Sequence, residues 1–133
     1  MKKSSLFIIS FTLLFGTFNG FCQTADISVD IINALAKGDA SRLSSFFNDN
    51  IELVVDNKND IFSKQQASSI ISDFFRKNPA NGFGVLHEGK KEASSFSIGT
   101  LKTANGPFRI YILTRKSGNK DVIQQLRIES SNE

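Results

Sequence analysis

The side chains most able to do chemistry are Asp56, at the end of "IELVVD", His87 in "FGVLHEGK", Tyr111 in "PFRIYILT" and Cys22 in "FNGFCQTADI"; the chain has one His, one Tyr and one Cys. A carboxylate and a hydrogen-bond donor that converge on one carbon make a proton-shuttling isomerase or dehydratase, and Asp56, His87 and Tyr111 are the residues that could build one. A single histidine cannot anchor a two-histidine metal site, and Glu88 beside it on a strand would point to the opposite face, whereas zinc takes three or four protein ligands. The stretch "DNKND" (56–60) has Lys58 at the third ligand position of a calcium loop and lacks the turn glycine and the closing Glu. No Gly-x-Ser-x-Gly elbow, GxxxxGK[ST] phosphate loop or GxGxxG fingerprint occurs. Neither a metal nor another cofactor is expected.

Cys22 raises a different question, which is whether it reaches the folded protein. Residues 1–22 carry Lys2 and Lys3 ahead of an apolar run from Leu6 to Phe15, and Gly20 and Cys22 give small-x-small spacing before Gln23. This is the three-part pattern of a secretory signal, with the cut expected between Cys22 and Gln23. Lipid attachment at Cys22 would need a small residue at position 21, and Phe21 disfavours it. The expected product is a single domain over 23–133, exported to the periplasm or the cell exterior. The uncharged run is shorter than the ~20 residues of a membrane-spanning helix, so no membrane span is expected after processing. The leader removes Lys2 and Lys3, leaving 14 basic against 13 acidic residues and a formal charge of +1. That balance gives no support for a nucleic-acid partner. It also removes the thiol, so stability rests on packing without a disulfide.

The elements that must position these residues follow from periodicity. Asp26 precedes "ISVDIINALAKG", where Ile27, Ile31, Ala34 and Leu35 share a helical face and Gly38 stops the helix. Asp39 can cap a second helix through "ASRLSSFFND", with Leu43, Phe46 and Phe47 on one face. "IELVVD" alternates as a strand, "NKND" reads as a hairpin turn, and "IFS" follows as a short return strand. Ser63 and Gln66 form a capping box that opens a third helix, whose stripe is Ala67, Ile70, Ile71, Phe74 and Phe75, and Pro79 ends it. Four runs beginning near Phe83, Ser94, Phe108 and Asp121 are separated by turn-forming segments and read as an antiparallel meander. The class is therefore α+β, in the order α-α-β-β-α-β-β-β-β, with three helices on one face of a strongly curved, mostly antiparallel sheet of about six strands.

The late strands are apolar on both faces. Phe108, Ile110 and Ile112 alternate with Tyr111 and Leu113; Phe96 and Ile98 oppose Leu101; Ile123 opposes Val122 and Leu126. Three helices cover one face, so the other predicts an interface, most simply a homodimer through the sheet, with a plain apolar surface or cover by the chain's own termini as the alternative. His87 has the parity of Phe83 and Val85, which marks Phe83 and His87 as candidate pocket residues. "RKSGNK" (115–120) reads as a solvated basic turn.

The passage "ALAKGDASRLSSFFNDNIELVVD" leading into "SKQQASSIISDFF" resembles the nuclear transport factor 2-like superfamily, also called the ketosteroid isomerase-like or cystatin-like fold. Taken with the "CQ" junction, the chain looks like the short secreted Bacteroidota proteins of that superfamily whose domain has no assigned function. The resemblance implies a cone of sheet and helices and, in the isomerase type, an inward aspartate at the end of the first strand. Here inward parity from Ile51 and Leu53 lands on Val55, one residue before Asp56, and Tyr111 has the opposite parity to Phe108 and Ile110. The expectation is thus a non-catalytic binding or dimerisation domain. Its partner would be a second copy, an envelope protein, or a small apolar ligand held near Phe83, His87, Tyr111 and Asp56; an isomerase-like enzyme and a purely structural module are the alternatives.

Overall fold

The computed structural model describes residues 27–131; the leader, Asp26 and the Cys22–Gln23 junction lie outside the described residues. Helix α1 (Val29–Lys37) is capped by Ser28, whose side chain accepts from the Asp30 amide at 3.2 Å. The chain reverses at Gly38, which takes a left-handed φ of 66° and leads the Asp39 amide back to the Ala34 carbonyl at 2.9 Å. A Cβ at Gly38 would lie 3.2 Å from both Ala80 Cβ and a Phe75 ring carbon. Asp39 then caps α2 (Ala40–Ser44) through the Arg42 amide at 3.0 Å. This helix is shorter than the periodicity predicts, because Phe47 begins strand β1 (Phe47–Val55) and pairs with Ile123 of the last strand. Phe46 and Phe47 therefore owe their places to strand pairing, with the Ile123 amide bonded to the Phe46 carbonyl at 2.7 Å.

Strand β2 (Lys58–Ser63) returns after a tighter turn than expected, formed by Asp56 and Asn57, with Asp56 at φ 53°. Lys58, Asn59 and Asp60 are already in the strand. Helix α3 (Lys64–Lys77) opens on the predicted capping box of Ser63 and Gln66, and Asn78 ends it just before Pro79. Strands β3 (Ala80–Lys91), β4 (Ser94–Thr103), β5 (Gly106–Ser117) and β6 (Lys120–Ser130) form the predicted antiparallel meander. The sheet is open, in the order β2-β1-β6-β5-β4-β3, and its parallel β1–β6 pair joins the β1–β2 hairpin to the meander.

The helices pack on one face of this sheet, α1 over β3 and β4, α3 over β1 and β2, and α2 against both other helices. From the helices come Ile31, Leu35, Leu43 and Ile71; from the sheet come Ile51, Leu53, Leu101, Ile110, Ile112, Ile123 and Leu126. All are fully buried. Phe74 ties α3 to β5 by an edge-on contact with Phe108, ring centroids 5.0 Å apart. Leu126 departs from the sequence expectation. It shares the inner face with Ile123, because the β5–β6 register shifts between Leu113 and Thr114 and Gln124 is the extra residue. A bulge reverses the parity of everything beyond it.

Candidate functional site

The face of the sheet on which none of the described helices packs is built by β4 and β5. Phe96 lies directly opposite Leu113, and Ile98 directly opposite Tyr111. All four side chains are half-buried, as is Val122 on β6. Direct cross-strand neighbours sit about 5 Å apart, so the four form one continuous apolar block. A polar rim of Thr100, Arg109, Arg115, Gln125, Arg127 and Glu129 surrounds it by register, with Arg127 and Glu129 paired at 3.1 Å.

His87 joins this outer face, contrary to the alternation that grouped it with Phe83 and Val85. On β3 two steps, from Val85 to His87, match the single step from Gly99 to Ile98 on β4, so Leu86 is a bulge and parity reverses after it. His87 thereby falls in the row of Ile98 and Tyr111. It is solvent-exposed, with its ring centroid 5.7 Å from that of Phe96, which in turn stacks on Tyr111 at 6.5 Å. Gly89 makes room for this cluster, since a Cβ there would lie 2.1 Å from the Phe96 ring.

Phe83 and Asp56 lie elsewhere. Phe83 pairs with Leu101 on the inner face and packs against the core over Gly99, where a Cβ would be 2.4 Å from its ring. Val55 is the inward residue at the end of β1, buried as the parity count requires, and Asp56 is exposed in the turn beyond it. His87 on β3 and Asp56 beside β1 are four strand steps apart, on the order of 19 Å along the sheet. The structure thus joins His87 to Tyr111 and sets Phe83 and Asp56 apart from them. A carboxylate and a donor do not meet in that arrangement, and Ile98 separates the backbones of His87 and Tyr111.

Two open clefts on the helix side are lined by residues that no motif marks in the sequence. One, of about 580 Å³, lies between α2 and α3 and is lined mainly by serines. The other, of about 530 Å³, lies where Ser28, Arg42 and Phe46 face the β5–β6 turn; there Arg42 pairs with Asp30 at 3.4 Å and stands over the Phe46 ring at 5.5 Å. The available signal was the helical recurrence of serines at 41, 44 and 45 and at 68, 69 and 72. Among the described residues, no group of three or more His, Cys, Asp or Glu side chains could hold a metal ion, and no helix is long and apolar enough to cross a membrane.

Three helices laid on a curved, mostly antiparallel six-stranded sheet define a nuclear transport factor 2-like fold. The solved structure "Rd1NTF2_04 with long sheet" shares it, with a TM-score of 0.57 at 15% identity over 74% of this chain and 92% of its own. More narrowly, the model of the domain of unknown function DUF4783 matches residues 28–129, and the chain belongs to that family. A DUF4783 family protein from Bacteroides ovatus is 38% identical, with a TM-score of 0.77 over 83% of this chain and 100% of its own. Another, from Bacteroides fragilis, is 40% identical, with a TM-score of 0.75 over 80% of this chain and 100% of its own. No curated protein matches the chain.

Proposed function

We propose that this protein is an exported, non-catalytic interaction domain that pairs with a second copy of itself through the outer face of its sheet. The observation that supports the reading is the block of Phe96, Ile98, Tyr111 and Leu113, half-buried and continuous across β4 and β5, on a face that none of the described helices covers. A contiguous apolar patch inside a polar rim is the usual anatomy of a protein interface. The interior is a weaker candidate for a ligand, because the space between sheet and helices is filled by fully buried aliphatic side chains. A face made of two strands and their flanks is large enough for a two-fold interface above roughly 1,000 Å² in total.

Sedimentation velocity on the purified protein and on Leu113→Glu tests this reading. The native protein should sediment as a dimer, and the variant, whose new carboxylate can face Arg127 in the free domain, should sediment as a monomer with an unchanged circular dichroism spectrum. A native protein that stays monomeric at its highest soluble concentration would sink the proposal.

A further inference from the structure

Two Asn-Gly dipeptides fall within the described residues, Asn81–Gly82 near the start of β3 and Asn105–Gly106 at the β4–β5 turn. An asparagine is most reactive in this setting, because glycine brings no Cβ to hinder attack of its amide nitrogen on the asparagine carboxamide carbon. The attack needs the backbone to rotate until that nitrogen meets Cγ, so a held carboxamide and a held backbone both suppress it. Both asparagines are exposed, and exposure does not separate them. Turns are ordinarily the more mobile backbone, which would favour Asn105.

The hydrogen bonds reverse that order. Asn105 Nδ2 donates to the Lys77 carbonyl at 2.7 Å and to Asn78 Oδ1 at 2.9 Å. The Asn105 amide donates to Thr103 Oγ1 at 3.1 Å, and Thr103 Oγ1 donates in turn to the Gly106 carbonyl at 2.7 Å. The Ala104 amide is bonded to the Pro79 carbonyl at 3.0 Å. Leaving group and backbone are thus both held at this site. Asn81 differs on each count. Among the described residues its carboxamide has no hydrogen-bond partner. Two steps on β3, from Ala80 to Gly82, match the single step from Thr103 to Lys102 on β4, so Asn81 is the extra residue of a bulge on the outermost strand of an open sheet. A bulged residue stands outside the ladder, where rotation breaks least.

We propose that Asn81 is a self-modification site, converted through a succinimide to aspartate and isoaspartate, and that the fold protects Asn105 from the same reaction. The Gly82 amide nitrogen loses its proton to solvent base and bonds to Asn81 Cγ, while the Cγ–Nδ2 bond breaks and the nitrogen leaves, protonated by solvent, as ammonia. Water then opens the five-membered ring. Opening at Cγ gives aspartate, and opening at the backbone carbonyl gives isoaspartate, in which the chain runs through Cβ and Cγ. Either product replaces a neutral amide by a carboxylate one residue from the Gly82–Lys102 pair.

Peptide mapping by mass spectrometry tests the proposal. The purified protein is held at mildly alkaline pH and sampled until a parallel sample in urea has converted at both sites. In the native sample, aspartate and isoaspartate should accumulate at position 81 on the order of tenfold faster than at position 105, where the hydrogen-bonded segment must first open. In urea the two rates should converge. Asn81→Gln, which lengthens the ring that must close, should remove the native product at position 81. Native conversion at position 105 as fast as at 81, or retention of Asn81 in the folded protein while the urea sample loses it, would overturn the proposal.

Discussion

Position 97 places a hydroxyl in a hydrocarbon setting. Ser97 is 2% exposed on the inner face of β4, directly opposite Ile112, and its Oγ has no hydrogen-bond partner. An unsatisfied buried hydroxyl is costly, so Ser97→Ala should raise stability by roughly 1 kcal/mol, read from the midpoint of urea unfolding. Gly38 is the opposite case. At φ 66° with two carbon atoms 3.2 Å from a prospective Cβ, Gly38→Ala should cost about 1–2 kcal/mol in the same assay. At this scale the sequence was informative wherever one residue type carries its own backbone preference. Gly38, Asp39 and the Ser63–Gln66 pair occupy the roles that their types predict.

Elements were legible where the signals were local and obscured where pairing decided. The stripe of α3 is read directly from its sequence, and Ala67, Ile71, Phe74 and Phe75 are buried as expected. The bulges at Leu86 and Gln124 depend on how two strands match, which no period-two pattern within one strand can express. They moved His87 to the outer face and Leu126 to the inner one. The end of α3 is likewise secured at long range: Asn105, in the β4–β5 turn, donates to the Lys77 carbonyl at 2.7 Å and to Asn78 Oδ1 at 2.9 Å. Asn105→Ala should therefore cost about 1 kcal/mol, and hydrogen exchange should show the last turn of α3 opening before the rest of the helix. Truncation of the sheet's central side chain, Ile112→Ala, should cost about 2–5 kcal/mol because it leaves a cavity in the packed interior.

For the whole molecule, the arrangement separates three surfaces that the sequence presents as one list of residues. The inner face of the sheet holds the core, the outer face carries the aromatic and aliphatic block, and the helix layer carries the serine cleft. The expected processing belongs to this scale too. Mass spectrometry of the native protein should find Gln23 at its N-terminus, whereas a lipid-modified Cys22 would place it on a membrane instead. The proposed pairing of the outer face with a second copy is a property of the whole molecule. Its most direct test is an isotope-filtered nuclear Overhauser experiment on a mixture of labelled and unlabelled protein. Intermolecular contacts are expected from the Tyr111 ring to the methyl groups of Ile98 and Leu113. A dimer whose intermolecular contacts come from Leu86 and the β3 edge, or a sample with no intermolecular contacts, would contradict it.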